Sequence, residues 1–336
     1  MRRLVSIMAV IAAGMAAGGC GGGDSGAADP AANVPDQGGL RKQVRDAGAP
    51  TREDFPAVEG RSLQAVADSM TAGPEAGLAG QVYTVGRNRL AFGVIDAAGS
   101  FLYGKTAVYV ARRPDAKAEG PFPAPADVLV TDAPFRSRQA ASETDLFAAV
   151  YEAEVPFDKP GTWSVLTVTR NGGGLVAAPA QLKVKPESAD DIPAVGERAP
   201  KVTTDTLASA KGDEEAIDTR IPTAPKLHET SFAEAVGSKP VALLFATPQL
   251  CQSRVCGPVT DIALQMQAKY GDEMEFIHQE VYVDNDPEKG LREPLRRFNL
   301  PTEPWLFVVD RRGKVTARME GSFGLTAFER AIKTAL

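Results

Sequence analysis

Residues 226–336 carry an ordered series of apolar patterns that strongly limits the folds open to this part of the chain. The run PVALLFA at 240–246 is apolar throughout, which is typical of a strand buried on both faces of a sheet. A helix is predicted next, because apolar residues recur at helical spacing before Gly271. Those apolar positions are Val259, Ile262, Ala263 and Met266.

The remainder of this region predicts further strands and helices. The strands are MEFIHQEVYVD (274–284), PWLFVVD (304–310) and KVTARME (314–320). A helical stretch is predicted at 287–298, and capping boxes at Ser231–Glu234 and Thr326–Glu329 predict two helix starts. From residue 240 onward the predicted order is therefore β-α-β-α-β-β-α.

Two cysteines lie in the segment TPQLCQSRVCGPV (247–259), between the first strand and the helix that follows it. A thiol near a helix N-terminus is favoured as a thiolate by the helix dipole, and Arg254 between Cys251 and Cys256 acts in the same direction. Three interpretations follow: a redox pair, a structural disulfide or a metal clip. A disulfide here closes a short loop and contributes only about 2 kcal/mol on the loop-entropy model.

These pieces resemble the thioredoxin-like superfamily: PVALLFATP, the CxxxxC segment and LPTEPWLFVVDRRGKV (300–315). The resemblance implies thiol–disulfide exchange through Cys251 and Cys256, opposite a cis-proline at Pro304 that follows Glu303. The family's usual spacing is CxxC, so the resemblance does not decide which of the two cysteines attacks. In one register Cys256 attacks and Val259 occupies the place of the resolving cysteine; in the other Cys251 attacks.

Copper binding is the metal alternative, through a resemblance to Sco-type copper chaperones, which share this fold. It would use Cys251, Cys256 and His278, and the chain contains two histidines in all. No cofactor is expected. The formal net charge of −6 gives no electrostatic footprint for nucleic acid.

Residues 60–186 predict an all-β domain. A short helix is expected at 60–70, followed by seven strand-like runs separated by Gly, Pro, Asn and Asp, which favours a β-sandwich. The runs are QVYTV (81–85), RLAFGVID (89–96), TAVYVARR (106–113), ADVLVT (126–131), LFAAVYEAEVPF (146–157), TWSVLTVT (162–169) and AQLKVK (180–185). The segment EVPFDKPGTWSVLTVT resembles a hairpin of immunoglobulin-like extracytoplasmic domains, which implies a binding or spacing module.

Residues 1–20, MRRLVSIMAVIAAGMAAGGC, have the charge and apolar pattern of a signal peptide. Their end resembles a bacterial lipobox, which implies lipidation at Cys20 and a membrane-anchored, extracytoplasmic protein. Residues 21–59 predict a flexible tether and residues 187–225 a linker, since both are polar and rich in Gly or Pro.

The expected architecture is thus multidomain: an all-β immunoglobulin-like sandwich followed by an α/β thioredoxin-like domain at 226–336. The favoured function is thiol–disulfide oxidoreductase, acting on the thiols or disulfides of an extracytoplasmic protein partner. A non-enzymatic binding or scaffold lipoprotein with a structural disulfide is the alternative. The sequence leaves the direction of electron flow open.

Overall fold

The computed structural model describes residues 29–140, 147–251 and 254–336. The helices are α1 (Leu40–Ala47), α2 (Leu63–Ala67), α3 (Phe232–Ala235), α4 (Cys256–Tyr270), α5 (Glu293–Arg297) and α6 (Leu325–Ile332). The strands of the N-terminal part are β1 (Thr71–Ala72), β2 (Glu75–Leu78), β3 (Tyr83–Thr84), β4 (Gly86–Ile95), β5 (Thr106–Ala111), β6 (Glu119–Pro123), β7 (Ala126–Val128), β8 (Ala149–Phe157), β9 (Gly161–Asn171) and β10 (Gly174–Lys185). The strands of the C-terminal part are β11 (Val241–Phe245), β12 (Glu275–Gln279), β13 (Trp305–Val309) and β14 (Val315–Glu320).

The N-terminal part consists of two sheets that share one apolar core. One sheet has the order β1-β10-β9-β5-β6, with β3 paired to β10, and the other has the order β2-β4-β8-β7. Phe92, Tyr151, Phe157 and Trp163 are fully buried in their common core. All seven predicted runs contain strands, whereas β1, β2 and β6 were not predicted. These three are short and lack the alternation of large apolar residues that marks the others.

Residues 29–59 do not form the flexible tether that their composition suggested. Leu40, Val44 and Ala47 of α1 are buried against the core of the two sheets. Asp54 also binds Lys105 of the sheet region, with Nζ 2.8 Å from the carboxylate. The prediction failed because a short amphipathic helix needs only a few apolar residues on one face. Residues 1–28, including the signal segment and Cys20, lie outside the described residues.

The C-terminal part is one sheet with the order β12-β11-β13-β14 and helices on both faces. Strands β11 and β12 are parallel, and β13 runs antiparallel to β11 and β14. Helices α4 and α6 cover one face, and α3 and α5 cover the other. The predicted order β-α-β-α-β-β-α is confirmed, and the topology is thioredoxin-like.

Both predicted capping boxes are wrong, because residues distant in sequence satisfy the helix starts. At α6 the carboxylate of Asp127 accepts hydrogen bonds from the backbone N–H groups of Thr326 (2.9 Å) and Ala327 (2.8 Å). At α3 the hydroxyl of Thr204 accepts from the N–H of Phe232 at 2.9 Å. A helix therefore begins where each box was predicted, but the cap comes from another part of the fold.

Residues 187–225 are not a simple linker, since much of this stretch packs against the C-terminal sheet domain. Ile192 and Val202 are buried in the core on the α3 face of the sheet. The N–H of Gly196 bonds to the carbonyl of Val315 at 2.8 Å, and that of Ala199 to the carbonyl of Gly313 at 3.0 Å, which places residues 196–199 along the edge of β14. The apolar residues are too widely spaced in sequence to give a periodic signal.

Candidate functional site

The two cysteines lie in a short loop at the C-terminal end of β11, which we call the cysteine loop (residues 247–256). The N–H of Cys251 bonds to the carbonyl of Thr247 at 3.1 Å, and Cys256 is the first residue of α4. Residues 252–253 lie outside the described residues. Gly257 allows close approach of another segment, because a Cβ there would be 2.5 Å from the carbonyl oxygen of Gln139. The start of α4 is thus packed against the segment that follows β7 and precedes β8.

The cysteines differ sharply in exposure. Cys251 is partly exposed, whereas Cys256 is completely buried. Both are reduced thiols, and they are in hydrogen-bond contact. Burial raises the pKa of Cys256 well above its ordinary value, and the hydrogen bond and charge of Cys251 raise it further. The expected thiolate stabilisation by the helix start is therefore outweighed at Cys256.

Glu303 and Tyr282 lie within electrostatic range of these thiols. The Glu303–Pro304 peptide bond is cis, as the family resemblance implied, and Pro304 is buried. Burial raises the pKa of Glu303, and the negative charge of Cys251 raises it further. The pKa of Tyr282 is raised by burial and then by the charges of Glu303 and both cysteines. Tyr282 was not predicted as a site residue, because a single tyrosine after a strand has no distinguishing pattern.

The described contacts of His278 are with groups other than the cysteines, so they give no support to the copper alternative built on Cys251, Cys256 and His278. Its Nε2 lies 3.0 Å from the carbonyl oxygen of Ala246, and its Nδ1 lies 3.3 Å from Nε2 of His228. Both imidazole nitrogens are therefore directed elsewhere. Its ring lies edge to face with that of His228, with the two ring centroids 5.2 Å apart.

The partners of His278 are His228 and Asp218, and all three side chains are buried. The carboxylate oxygens of Asp218 are 3.6 Å from His228 Nε2 and 3.7 Å from His278 Nδ1. Burial acts to raise the pKa of Asp218, but the contact with His228, the charges of both histidines and the Ala224 N–H bring it to about 2. Burial lowers the pKa of His278. Among the described residues, these three are brought together closely enough to share a metal ion.

Asp218 and His228 belong to a segment that we call the wrapping segment (residues 213–228). Its Arg220 forms a buried ion pair with Asp261 of α4, with Nε 2.8 Å from the carboxylate. Thr219 donates its hydroxyl to buried Glu280 at 2.6 Å and accepts the N–H of Gln249 at 3.1 Å. The wrapping segment thus contacts the cysteine loop directly. In the sequence the wrapping segment is only a polar stretch with Pro and acidic residues, which carries no signal of these contacts.

Comparisons with known proteins leave the family open: no protein-family model and no curated protein matches the chain. Among solved structures, a protein described as the thiol:disulfide interchange protein DsbE from Chlorobium tepidum is similar at 21% identity, over 43% of this chain and 98% of its own, with a TM-score of 0.29. The endo-beta-1,4-mannanase from Thermotoga petrophila is similar at 13% identity over 34% of this chain and 20% of its own, with a TM-score of 0.20. The PKD domain of human SorCS2 is similar at 15% identity over 36% of this chain and 80% of its own, with a TM-score of 0.18. The thioredoxin-like description therefore rests on the sheet topology of this chain.

No helix in the described ranges is long and apolar enough to cross a membrane.

Proposed function

We propose that the C-terminal domain carries out thiol–disulfide exchange through Cys251 and Cys256. The observation that carries this proposal is the asymmetry of the pair: one partly exposed thiol in contact with one fully buried thiol at the start of α4. An exchange protein needs an accessible attacking thiol and a protected resolving thiol within reach of it. The asymmetry favours the register in which Cys251 attacks and Cys256 resolves.

In the reducing direction, the Cys251 thiolate attacks one sulfur of a partner disulfide. A bond forms between Cys251 and that sulfur, the partner disulfide breaks, and its second sulfur leaves as a thiolate. Cys256 then loses its proton and attacks the Cys251 sulfur, which releases the partner's other thiolate. The partner has gained two electrons, and the chain holds a Cys251–Cys256 disulfide. The reverse sequence oxidises a dithiol partner.

The test is a pair of single substitutions, Cys256→Ser and Cys251→Ser, each in a Cys20→Ser background. With a disulfide substrate, Cys256→Ser should accumulate a mixed disulfide at Cys251, because no resolving thiol remains. Cys251→Ser should accumulate none, because Cys256 is inaccessible. Equal trapping by the two variants would overturn the assignment of roles.

The reduction potential of the pair separates exchange chemistry from a structural disulfide. Equilibration with glutathione buffers should give a value between about −120 and −270 mV for an exchange protein. A value below about −300 mV would indicate a structural bridge and a scaffold function.

We also propose that the chain is anchored to the outer face of a membrane through lipid on Cys20, where its partner would be an extracytoplasmic protein. The signal-like pattern of residues 1–20 supports this proposal. Cys20→Ser should move the protein from the membrane fraction to the soluble fraction, whereas continued membrane retention would contradict the anchor.

For the N-terminal part we propose an immunoglobulin-like module that spaces or orients the redox domain. Two sheets packed over one core support this class of fold. Residues of the module also contact the C-terminal domain: Arg89 bonds to the carbonyl of Glu320 at 3.1 Å, and Asp127 caps α6. Asp127→Ala should weaken the cap by about 1 kcal/mol in urea unfolding.

A further inference from the structure

We propose that Asp218, His228 and His278 form a binding site for a divalent transition metal of the zinc class, separate from the cysteines. The three side chains come from the wrapping segment and from β12, and each is buried. Two imidazoles and one carboxylate are a donor set that such ions bind readily. The inference does not depend on whether the cysteine pair is redox-active.

The separations of the donor atoms fit ligands of a shared ion, and the contact between the histidine nitrogens is also short enough for a hydrogen bond. They are 3.3 Å between the histidine nitrogens and 3.6 and 3.7 Å from these nitrogens to the Asp218 oxygens. Ligand atoms about 2.0–2.2 Å from a tetrahedral zinc ion are about 3.3–3.6 Å apart. Hydrogen bonds between such groups are about 2.7–3.2 Å long. The two contacts with Asp218 exceed that length, and all three contacts fall in or next to the range for metal ligands.

The hydrogen bond made by His278 leaves its Nδ1 free to bind a metal ion. A carbonyl oxygen can only accept, so the contact of 3.0 Å with Ala246 O assigns the proton of His278 to Nε2. Its Nδ1 then carries a lone pair directed at the shared centre. Donation of the second ring N–H to a backbone carbonyl is the usual way in which proteins orient a histidine ligand.

The carboxylate of Asp218 is oriented in a similar way. One oxygen accepts the N–H of Arg220 at 2.9 Å, and the other accepts the N–H of Ala224 at 2.6 Å. These bonds hold the carboxylate toward the two histidines while leaving lone pairs for an ion. Asp218 also lines a surface cavity of about 630 Å³, together with Asp213, Glu214 and Glu215. These acidic groups attract a cation to the side of the cluster where Asp218 lies, and Arg220 lines the same cavity.

The rival explanation is a proton between the two histidines. In that arrangement His228 Nε2–H faces His278 Nδ1 at 3.3 Å and one Asp218 oxygen at 3.6 Å. A doubly protonated His228 would also bury a charged Nδ1–H, for which the described residues provide no hydrogen-bond partner. Leaving such a donor unsatisfied is more costly for a charged group than for a neutral one. An ion bound through Nε2 would place the ring proton of His228 on Nδ1, so this atom does not separate the two arrangements, and the proposal rests on the donor-atom distances and the orientation of His278 and Asp218.

The experiment uses the full chain carrying an affinity tag without histidines, in a Cys20→Ser background. The chain's only two histidines are both in this cluster, so any imidazole ligation must come from it. After chelator treatment, titration with Zn(II) should show one ion bound per chain. Co(II) in place of Zn(II) should give the visible absorption of a tetrahedral site, and X-ray absorption should report imidazole neighbours.

The deciding control is the double variant Cys251→Ser with Cys256→Ser, which should still bind one Zn(II) with unchanged affinity. His228→Gln and Asp218→Asn should each weaken Zn(II) binding by at least about 100-fold, since loss of an outer partner alone costs about 10–100-fold. Circular dichroism establishes that each variant is folded. If a variant does not fold, the parent and the cysteine double variant still decide the question.

Two results would overturn the site. One is a parent chain that binds no stoichiometric Zn(II), which would assign the cluster to the shared proton. The other is Zn(II) binding that disappears in the cysteine double variant, which would place the ion at the thiols. A rise in melting temperature on adding Zn(II) to the cysteine double variant, absent from His228→Gln, would further support the proposal.

Discussion

The cysteine loop and the wrapping segment meet at the same end of the C-terminal sheet, yet their environments are opposite. The cysteine loop presents a partly exposed thiol, whereas the wrapping segment buries Asp218 and Arg220 almost completely. They touch through the bond from Gln249 N–H to Thr219 Oγ1. The difference indicates two separate roles. A thiol that reacts with a partner must be exposed, as Cys251 is in part, whereas buried charges such as those of the wrapping segment need fixed partners and therefore stabilise the fold.

The largest effect is expected from breaking the buried ion pair of the wrapping segment. Arg220→Met leaves the carboxyl group of Asp261 buried without its cation, which should destabilise the chain by about 3–5 kcal/mol. Urea unfolding measures this loss. The matched control is Lys226→Met, which removes an exposed pair with Glu229 and should cost less than about 1 kcal/mol. Equal effects of the two substitutions would mean that the wrapping segment is only loosely attached.

The next effect concerns the reactivity of the two thiols, measured as iodoacetamide alkylation at pH 8 in single-cysteine variants. Cys251 should react at least about 100-fold faster than Cys256, because reaction requires an accessible thiolate. Burial raises the pKa of Cys256 well above its ordinary value near 9. Its rate should therefore still be rising with pH above that value, where the thiolate fraction of an ordinary cysteine has already levelled off. In urea the two rates should converge, and similar rates in the native protein would contradict the proposed roles.

A smaller effect is expected at the contact between the two regions. Thr219→Val keeps the shape of the side chain but removes the hydroxyl that bonds to Glu280 and accepts from Gln249. A buried carboxyl group and a backbone N–H each lose a partner, so unfolding should become easier by about 1–3 kcal/mol. The exposed Thr203→Val serves as the control and should stay within about 0.5 kcal/mol of the parent. No difference between them would show that the contact carries little energy.

The same comparison explains what could be predicted from the sequence. The cysteine loop was predictable, because Cys251 and Cys256 are close in sequence and follow a continuous apolar strand. The cis peptide at Pro304 was predictable from a local resemblance. The cluster of Asp218, His228 and His278 could not be predicted. Its members are far apart in sequence and come together only when β12 packs against the wrapping segment. Each histidine alone had no pattern that distinguished it from a packed core residue.

For the fold, too, features set by nearby residues could be predicted and those set by distant residues could not. Long alternating strands such as β4, β8 and β9 were predicted, as was the order of the C-terminal elements. Features set by distant partners were missed, such as the cap that Asp127 provides to α6 and the packing of α1 on the sandwich core. Local periodicity reports burial of a face, but it does not report which distant group satisfies a helix end.

The smallest effect is expected from Glu303→Gln, which tests whether Glu303 is electrostatically linked to the thiols. The negative charge of Glu303 is one of the smaller causes that raise the pKa of Cys256. Glutamine removes the repulsion of a thiolate, so the pKa of Cys256 should fall and its titration should move to lower pH. Thiolate ultraviolet absorbance against pH, in a Cys20→Ser and Cys251→Ser background, measures the shift. The exposed Glu273→Gln should leave the curve unchanged. An unchanged curve, or a shift to higher pH, in Glu303→Gln would mean that repulsion by the Glu303 carboxylate is the wrong description of this site.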